Sequence, residues 1–401
     1  MKRVVIAMIA AMMILASGTS AFAAGGSKTT IKGVQTRYSK AYTKTLKDTI
    51  KVSPAYGRQV TLSVYNPYQK RWEVKAIYRT PNKKTARITI TYPGVWKAYG
   101  SSAWRVSAPA ATVKIKANGA RKSLKGKSVN VSIKDKLTKG KAAVVMDARS
   151  GQCVYADNAI ARRKIASMTK MMTMILLAEH KGLNDRVAIN HEATAARKMS
   201  GGMGLKEGDV VTVKDLMYCA MLPSANDAAA ASAVAVSGSQ EAFKNLMRNK
   251  AVAIGAADST YKYAFGDWYG NALSTAFDQA LIGREFMTNP KTEFLRQVAK
   301  TKNYSFTTKK KKIKYSVTYN YAGNLILGQL GSIGIKTGYN PPAGRCFTNA
   351  WYYKGRLYIS VIMGEPSANQ LWKDVKKLTQ VSNHLVDTNA GKVLVKQVPA
   401  K

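Results

Sequence analysis

Residues 166–177 read ASMTKMMTMILL and contain the first of three short motifs in the chain. The run after Ser167 is a strong helix former, so the serine is predicted to lie at or near the N-terminus of a helix. Residues three apart share one face of a helix, which brings the Lys170 amine within reach of the Ser167 hydroxyl. A neighbouring base makes a serine nucleophilic, and lysine is such a base when burial and nearby positive charge keep it neutral. Taken alone, the pattern also fits an N-cap serine beside a surface lysine.

A second motif, Ser224-Ala225-Asn226, follows Pro223 directly. The helix predicted before it is expected to end ahead of that proline, and Asp227 with the alanines after it begins another. The motif is therefore predicted to lie on a short loop between two helices, where a hydroxyl and a carboxamide can point into a cleft. By itself it fits an ordinary turn with a helix cap.

A third motif, Lys336-Thr337-Gly338, ends a predicted strand that begins at Ile333. The edge of a strand offers backbone groups that pair with an extended peptide. Lysine and threonine there suit a carboxylate, and the glycine lets a substrate approach the backbone closely. By itself this motif fits a strand that leads into a turn.

The sequence from about residue 141 onward predicts an α+β arrangement, in which helices pack on an antiparallel sheet. A hairpin is predicted at 142–155, and helical patterns dominate residues 167–253. Three successive strands are predicted at 333–337, 345–353 and 357–363. A last amphipathic helix carries its apolar residues on one face, at Leu371, Val375, Leu378, Val381 and Leu385.

The three motifs occur in the order found in class A β-lactamases and penicillin-binding proteins. Residues from about 140 to 390 resemble the catalytic domain of the low-molecular-mass penicillin-binding D-alanyl-D-alanine carboxypeptidases, the peptidase S11 family. The resemblance extends to the neighbours of each motif, at 166–173, 222–229, 334–339 and 343–346. It implies the penicillin-binding/β-lactamase-like transpeptidase fold.

The resemblance also implies a set of catalytic residues. Ser167 would attack the carbonyl of the penultimate D-Ala of a cell-wall peptide and form an acyl-enzyme, while Lys170 takes its proton. Ser224 would relay a proton to the departing D-Ala, and Asn226 would position Lys170 and the substrate amide. Water would then release the shortened peptide, and β-lactams, which mimic D-Ala-D-Ala, would acylate Ser167 stably.

Substrate binding is implied for the residues around the third motif. Lys336 and Thr337 would bind the terminal carboxylate beside Gly338, and the N–H groups of Ser167 and Tyr339 would form the oxyanion hole. No cofactor or metal is expected, because the three histidines and three cysteines show no metal-ligand spacing.

The part of the chain before this domain shows period-two alternation from about residue 58 to 133, which predicts a small all-β, sandwich-like domain. The alternating apolar sets begin at Val60, Trp72, Ile88, Val113 and Val129. A wall-binding module and a structural spacer both fit this domain. The predicted divisions are a signal peptide (1–23), a linker (24–50), a β-rich accessory domain (51–136) and the catalytic domain (137–401).

The signal peptide is predicted from a short basic head, an apolar run at residues 4–16 and the pattern Ala21-Phe22-Ala23. An uncleaved anchor is the alternative. Export to the cell wall or the outer face of the membrane makes nucleic acid an improbable partner for the net charge of +43. Anionic wall polymers or lipid headgroups are the expected partners of that charge.

Three other functions share some of these sequence features. A class A β-lactamase needs a deacylating glutamate beyond the second motif, and no acidic residue there has the expected context, so efficient β-lactam hydrolysis is not expected. A D,D-endopeptidase that cuts peptide crosslinks would use the same residues. A basic wall-binding protein with a retired peptidase domain is the non-enzymatic alternative, which the intact motifs disfavour.

Overall fold

The computed structural model describes residues 26–39, 46–66, 70–92, 102–115, 119–134, 136–267, 269, 272–318 and 328–388 of the 401-residue chain. The predicted signal peptide and its cleavage site lie outside the described residues. The dipeptide Pro93-Gly94, whose composition predicts a turn between two of the alternating sets, also lies outside the described residues.

The amino-terminal part of the described chain consists of two sheets around one apolar core. Its strands are β1 (Thr30–Lys32), β2 (Arg37–Ser39), β3 (Lys47–Ser53), β4 (Gln59–Asn66), β5 (Arg71–Arg79), β6 (Ala86–Thr91), β7 (Ser102–Ala108), β8 (Ala111–Lys114), β9 (Arg121–Leu124) and β10 (Lys127–Lys134). The sheets have the orders β1-β3-β6 and β2-β10-β7-β4-β5, and β8 pairs with β9. Val60, Leu62 and Val64 are fully buried between the sheets. The alternation therefore predicted the inward face of β4 correctly.

The structure differs from the linker predicted over residues 24–50. In the described part of that range, β1, β2 and the start of β3 pair with other strands of the two sheets. Ile31 and Ile50 from these strands belong to the shared core. A three-residue strand carries too few residues to display a period of two, so the sequence pattern gave no signal for β1 or β2.

The part from residue 136 onward combines one central sheet with helices on both of its faces. The strands are β11 (Ala142–Asp147), β12 (Cys153–Asp157), β13 (Arg163–Lys164), β14 (Arg186–Ala188), β15 (Val210–Thr212), β16 (Leu273–Ser274), β17 (Asn303–Thr307), β18 (Lys314–Thr318), β19 (Ser332–Asn340), β20 (Gly344–Tyr353) and β21 (Arg356–Glu365). The helices are α1 (Lys170–His180), α2 (His191–Ser200), α3 (Val213–Met221), α4 (Asn226–Ser237), α5 (Gln240–Ala253), α6 (Ala276–Thr288), α7 (Glu293–Lys300) and α8 (Ala368–Thr388).

The central sheet has the strand order β12-β11-β21-β20-β19, and every pair in it is antiparallel. The predicted α+β arrangement is confirmed. Because β19 carries the third motif and lies at the end of this order, the motif occupies an edge strand of the sheet.

Helix α8 covers one face of the sheet, and helices α1, α6 and α7 pack against the opposite face. Leu371, Val375 and Leu378 of α8 are buried against Trp351 and its neighbours, as the amphipathic pattern predicted. Full burial of each such side chain contributes about 1.5–3 kcal/mol. No helix in the described ranges has both the length and the apolar character needed to cross a bilayer.

The three cysteines are free thiols, and each is buried in this second part of the chain. Cys153 lies on β12, Cys219 on α3 and Cys346 on β20. Burial raises the pKa of Cys153 and of Cys346 to about 12, and it raises the pKa of Cys219 as well. All three are therefore protonated near neutral pH, and each packs as a small core residue.

Candidate active site

Ser167 lies in a 3₁₀ turn, Ala166–Thr169, that leads directly into α1. Lys170 is the first residue of α1, and its Nζ atom lies 2.9 Å from the Ser167 Oγ atom in a hydrogen bond. The predicted contact between the two side chains is thus present. The turn places the serine ahead of the helix, where backbone N–H groups have no partner within the helix.

The Lys170 amine is fully buried and is held by three oxygen atoms. Besides the serine, it donates to Asn226 Oδ1 at 2.8 Å and to the Phe265 carbonyl at 3.0 Å. Burial holds the pKa of Lys170 well below its usual value, and the nearby charge of Lys336 lowers it further. Asp227 acts in the opposite direction. A lysine in this environment is neutral often enough to accept a proton from Ser167.

A segment that sequence reasoning missed, residues 264–267, links the first and third motifs. Its Phe265 carbonyl accepts from Lys170, and its Asp267 carbonyl accepts from the Asn340 side chain at the end of β19 at 3.0 Å. Both contacts use backbone carbonyls, which every residue type has, so the sequence carried no signal for them.

The second motif lies between α3 and α4, as predicted, and Asn226 opens α4. Ser224 has a φ of +65°, a left-handed conformation that residues with a Cβ atom rarely adopt. Its Oγ atom is buried and has no hydrogen-bond partner among the described residues. Strain and an unpaired hydroxyl in one residue are typical of a site that is organised for a ligand.

The third motif presents a buried cation at the edge of the sheet. Lys336 is 1% exposed, and its Nζ atom donates to the Thr337 carbonyl at 3.1 Å. Burial lowers the pKa of Lys336 to about 7. Next along β19, Tyr339 is 48% exposed, and the Arg345 guanidinium lies 3.6 Å from the centre of its ring. An anionic group bound here would be neutralised by Lys336.

Gly338 fits closely against the turn that carries Ser167. A Cβ atom at this position would collide with the Ile165 carbonyl and lie 3.1 Å from the Met168 backbone nitrogen. The backbone of Ile165–Met168 therefore leaves no space for a side chain at position 338, apart from any space that a substrate needs. Through this contact, Ser167 lies next to the carboxyl-terminal end of β19.

One residue or more from each motif thus lies at the same place: Lys170 is bonded to Ser167 and Asn226. Lys336 acts on Lys170 through its charge, and Gly338 lies against the turn that carries Ser167. Within the described part of the chain, no group of three or more His, Cys, Asp or Glu side chains is placed to hold a metal ion. The chemistry that the residues themselves provide is a serine hydroxyl paired with a desolvated amine, beside a cation and the edge strand β19. This combination suits acyl transfer to serine from a peptide with an anionic end.

Residues 129–367 match the sequence profile of the peptidase S11 family, described as D-alanyl-D-alanine carboxypeptidase. The match covers more than half of the chain and contains all three motifs. The chain belongs to the peptidase S11 family. The S11 region includes the whole central sheet, and the β-rich strands before residue 127 lie outside it.

Named relatives of this S11 chain agree with the profile. The D-alanyl-D-alanine carboxypeptidases DacF of Bacillus subtilis and DacC of Escherichia coli are each 30% identical to it, over 252 and 247 residues. Each match covers 59% of this chain and 60% of the relative. The chain therefore spans well under two thirds of the length of these relatives.

The fold expected from the resemblance is confirmed by solved structures. The crystal structure of the Streptomyces K15 DD-transpeptidase is similar with a TM-score of 0.56 and 27% identity, over 61% of this chain and 97% of that one. The D-alanyl-D-alanine carboxypeptidase DacD from Francisella tularensis matches with a TM-score of 0.55 and 25% identity, over 60% of this chain and 70% of that one.

Proposed function

We propose that this protein is a serine-type D-alanyl-D-alanine carboxypeptidase that removes the terminal D-Ala from peptidoglycan stem peptides. The observation that carries the proposal is the buried Lys170 amine, which lies 2.9 Å from the Ser167 hydroxyl and whose pKa is lowered by burial and by the charge of Lys336. Membership of the S11 family and the names of the relatives support the same substrate.

The proposed reaction runs through an acyl-enzyme. Ser167 Oγ attacks the carbonyl of the penultimate D-Ala while its proton passes to Lys170. The amide bond to the terminal D-Ala breaks, and the departing amine takes up a proton that Ser224 relays. Water then attacks the ester, which restores the Ser167 hydroxyl and releases the shortened peptide.

The substrate would be held by the edge strand β19. Lys336 and Thr337 bind the terminal carboxylate, and the peptide backbone pairs along the strand beyond Gly338. The backbone N–H groups of Ser167 and Tyr339 stabilise the oxyanion of the tetrahedral intermediate. Asn226 orients the Lys170 amine and the substrate amide, which its 2.8 Å hydrogen bond to that amine supports.

The test is labelling with a fluorescent penicillin, together with D-Ala release from a pentapeptide ending in D-Ala-D-Ala. The parent, Ser167→Ala and a control, Ser150→Ala, are compared, because Ser150 lies on an exposed turn. Labelling and D-Ala release are expected in the parent and the control, and both are expected to be lost in Ser167→Ala. Labelling without release would favour crosslink cleavage instead, and no labelling of folded parent would overturn the proposal.

We also propose that the protein acts outside the cytoplasmic membrane after cleavage behind Ala23, and that its net charge of +43 retains it among anionic wall polymers or lipid headgroups. Amino-terminal sequencing of the cell-wall fraction is expected to begin at Ala24. Release of the protein by about 1 M salt would support electrostatic retention, because ions at that concentration screen exposed charges. Cytoplasmic protein with Met1 intact would contradict the proposed export and cleavage. Retention that persists in high salt would contradict the proposed electrostatic retention.

A further inference from the structure

The carboxylate of Asp227 is fully buried and accepts hydrogen bonds from four backbone N–H groups. Its Oδ1 atom accepts from Met203 at 3.0 Å and from Ala228 at 2.9 Å. Its Oδ2 atom accepts from Gly204 at 2.8 Å and from Leu205 at 3.1 Å. These four hydrogen bonds satisfy both oxygen atoms of the buried carboxylate.

Three of these donors come from residues 201–205, here called the glycine loop. The loop fits tightly over the carboxylate, because a Cβ atom on Gly202 would lie 2.7 Å from the carboxylate of Asp227. On its other side the loop is held by Tyr315, whose hydroxyl donates to the Gly204 carbonyl at 2.9 Å. The loop is thus fixed between the start of α4 and the β17–β18 hairpin.

The same loop is bonded to the residue that holds the candidate base. The Asn226 backbone N–H donates to the Gly201 carbonyl at 3.4 Å, and Asn226 Oδ1 accepts from Lys170. A continuous set of contacts therefore runs from the glycine loop through Asp227 and Asn226 to Lys170. Asp227 also acts on that lysine through its charge, since it opposes the lowering of the Lys170 pKa.

We propose that Asp227 is a positioning residue for acylation of Ser167. Its carboxylate holds the glycine loop against the start of α4 and so keeps Asn226 and the Lys170 amine in the geometry that the serine requires. The inference rests on the proposed function of the Ser167 site. It assigns to Asp227 a role that the three-motif pattern leaves out, since the pattern ends at Asn226.

Two variants separate the effects of the carboxylate. Asp227→Asn removes the charge and leaves the loop with an amide that accepts fewer N–H bonds. Gly202→Ala keeps the charge and displaces the loop. The matched control is Asp209→Asn, because Asp209 is also buried and also accepts backbone N–H groups, from Val210 and Lys311 at 2.7 and 3.0 Å.

The measurement is the second-order rate of acylation by a fluorescent penicillin from pH 5 to 10, with the free energy of unfolding of each variant. Asp227→Asn is expected to acylate at least about tenfold more slowly at pH 7, and the acid limb of its pH profile is expected to move to lower pH. Gly202→Ala is expected to slow acylation with the acid limb unchanged. Asp209→Asn is expected to lose stability and keep the parental rate. The expected loss of rate follows from the roughly hundredfold cost of a 1 Å misplacement of a reacting group.

A merely structural role for Asp227 predicts a different result. Folded Asp227→Asn would then acylate at the parental rate with the parental pH profile, and this result would overturn the inference. If Asp227→Asn does not fold, folded Gly202→Ala with parental acylation overturns it instead. If the parent itself does not react with the penicillin, the proposed function is refuted. Comparison of the parent with Ser167→Ala tests that function separately from the role of Asp227.

Discussion

Replacement of Ser224 by glycine is expected to stabilise the fold and impair the reaction. The left-handed φ of +65° costs a residue with a Cβ atom roughly 1–2 kcal/mol, and glycine does not incur this cost. The buried Ser224 hydroxyl has no partner among the described residues, and such a group costs about 1–3 kcal/mol. Glycine offsets about 0.5–1 kcal/mol of this gain through the greater freedom of the unfolded chain. The net stabilisation is about 1–4.5 kcal/mol.

Ser224→Ala separates the two contributions, since it removes the hydroxyl and keeps the strained backbone. In denaturant unfolding, the free energy of unfolding is expected to be highest for Ser224→Gly, intermediate for Ser224→Ala and lowest for the parent. The midpoint of thermal unfolding should rise by about 2–4 °C for each kcal/mol in a domain of this size. D-Ala release should fall about 100-fold or more in both variants, as expected for the loss of a proton-transfer group. A glycine variant that is less stable than the parent, or that turns over at the parental rate, would refute this reasoning.

Three further outcomes are expected. The value of kcat/KM for D-Ala release should rise with pH as Lys170 loses its proton, and should fall above about pH 7 as Lys336 loses the charge that binds the carboxylate; a pH–rate profile that stays flat from pH 6 to 9 would contradict both assignments. Gly338→Ala should slow penicillin acylation about 100-fold, because its Cβ would push β19 away from the Ile165–Met168 turn; an unchanged acylation rate would show that the turn yields at no cost. Glu365→Gln should stabilise the protein at pH 8 more than at pH 5, as measured by thermal unfolding. Burial and a hydrogen bond with Asp374 raise the Glu365 pKa to about 8, so the stability that its proton contributes is present below about pH 4.5 and is lost as pH rises through 8. Equal changes at the two pH values would contradict this linkage.

The sequence predicted those features that repeat over many residues or that depend on side-chain type. The period-two pattern marked β4 and β10, and the apolar face of α8 was named residue by residue at Leu371, Val375 and Leu378. The spacing from Ser167 to Lys170 predicted their contact because a helical turn brings such residues together.

Other features of the fold and the site could not be predicted from the sequence, for physical reasons. The strands at 30–32 and 37–39 are too short to show a period, and their place in the sheets is set by pairing with residues distant in the chain. The Phe265 carbonyl supports Lys170 through a backbone atom, so residue type carries no information about it. Gly338 was expected to make room for substrate, whereas the nearest atoms belong to Ile165 and Met168 in the turn around Ser167. This contact joins segments far apart in the sequence, so only the folded chain reveals it.

The three buried thiols provide an internal probe of how the S11 region of the protein opens. Cys153, Cys219 and Cys346 lie on three different elements, and together they account for every cysteine in the chain. An alkylating reagent reaches them only when the surrounding core opens, so the rate of modification reports that opening without any added label. Because no cysteine lies before residue 153, opening of the β-rich region gives no signal in this experiment. Modification of all three thiols at one common rate would mean that sheet and helices open as a single cooperative unit, and three separate rates would map the order in which they separate.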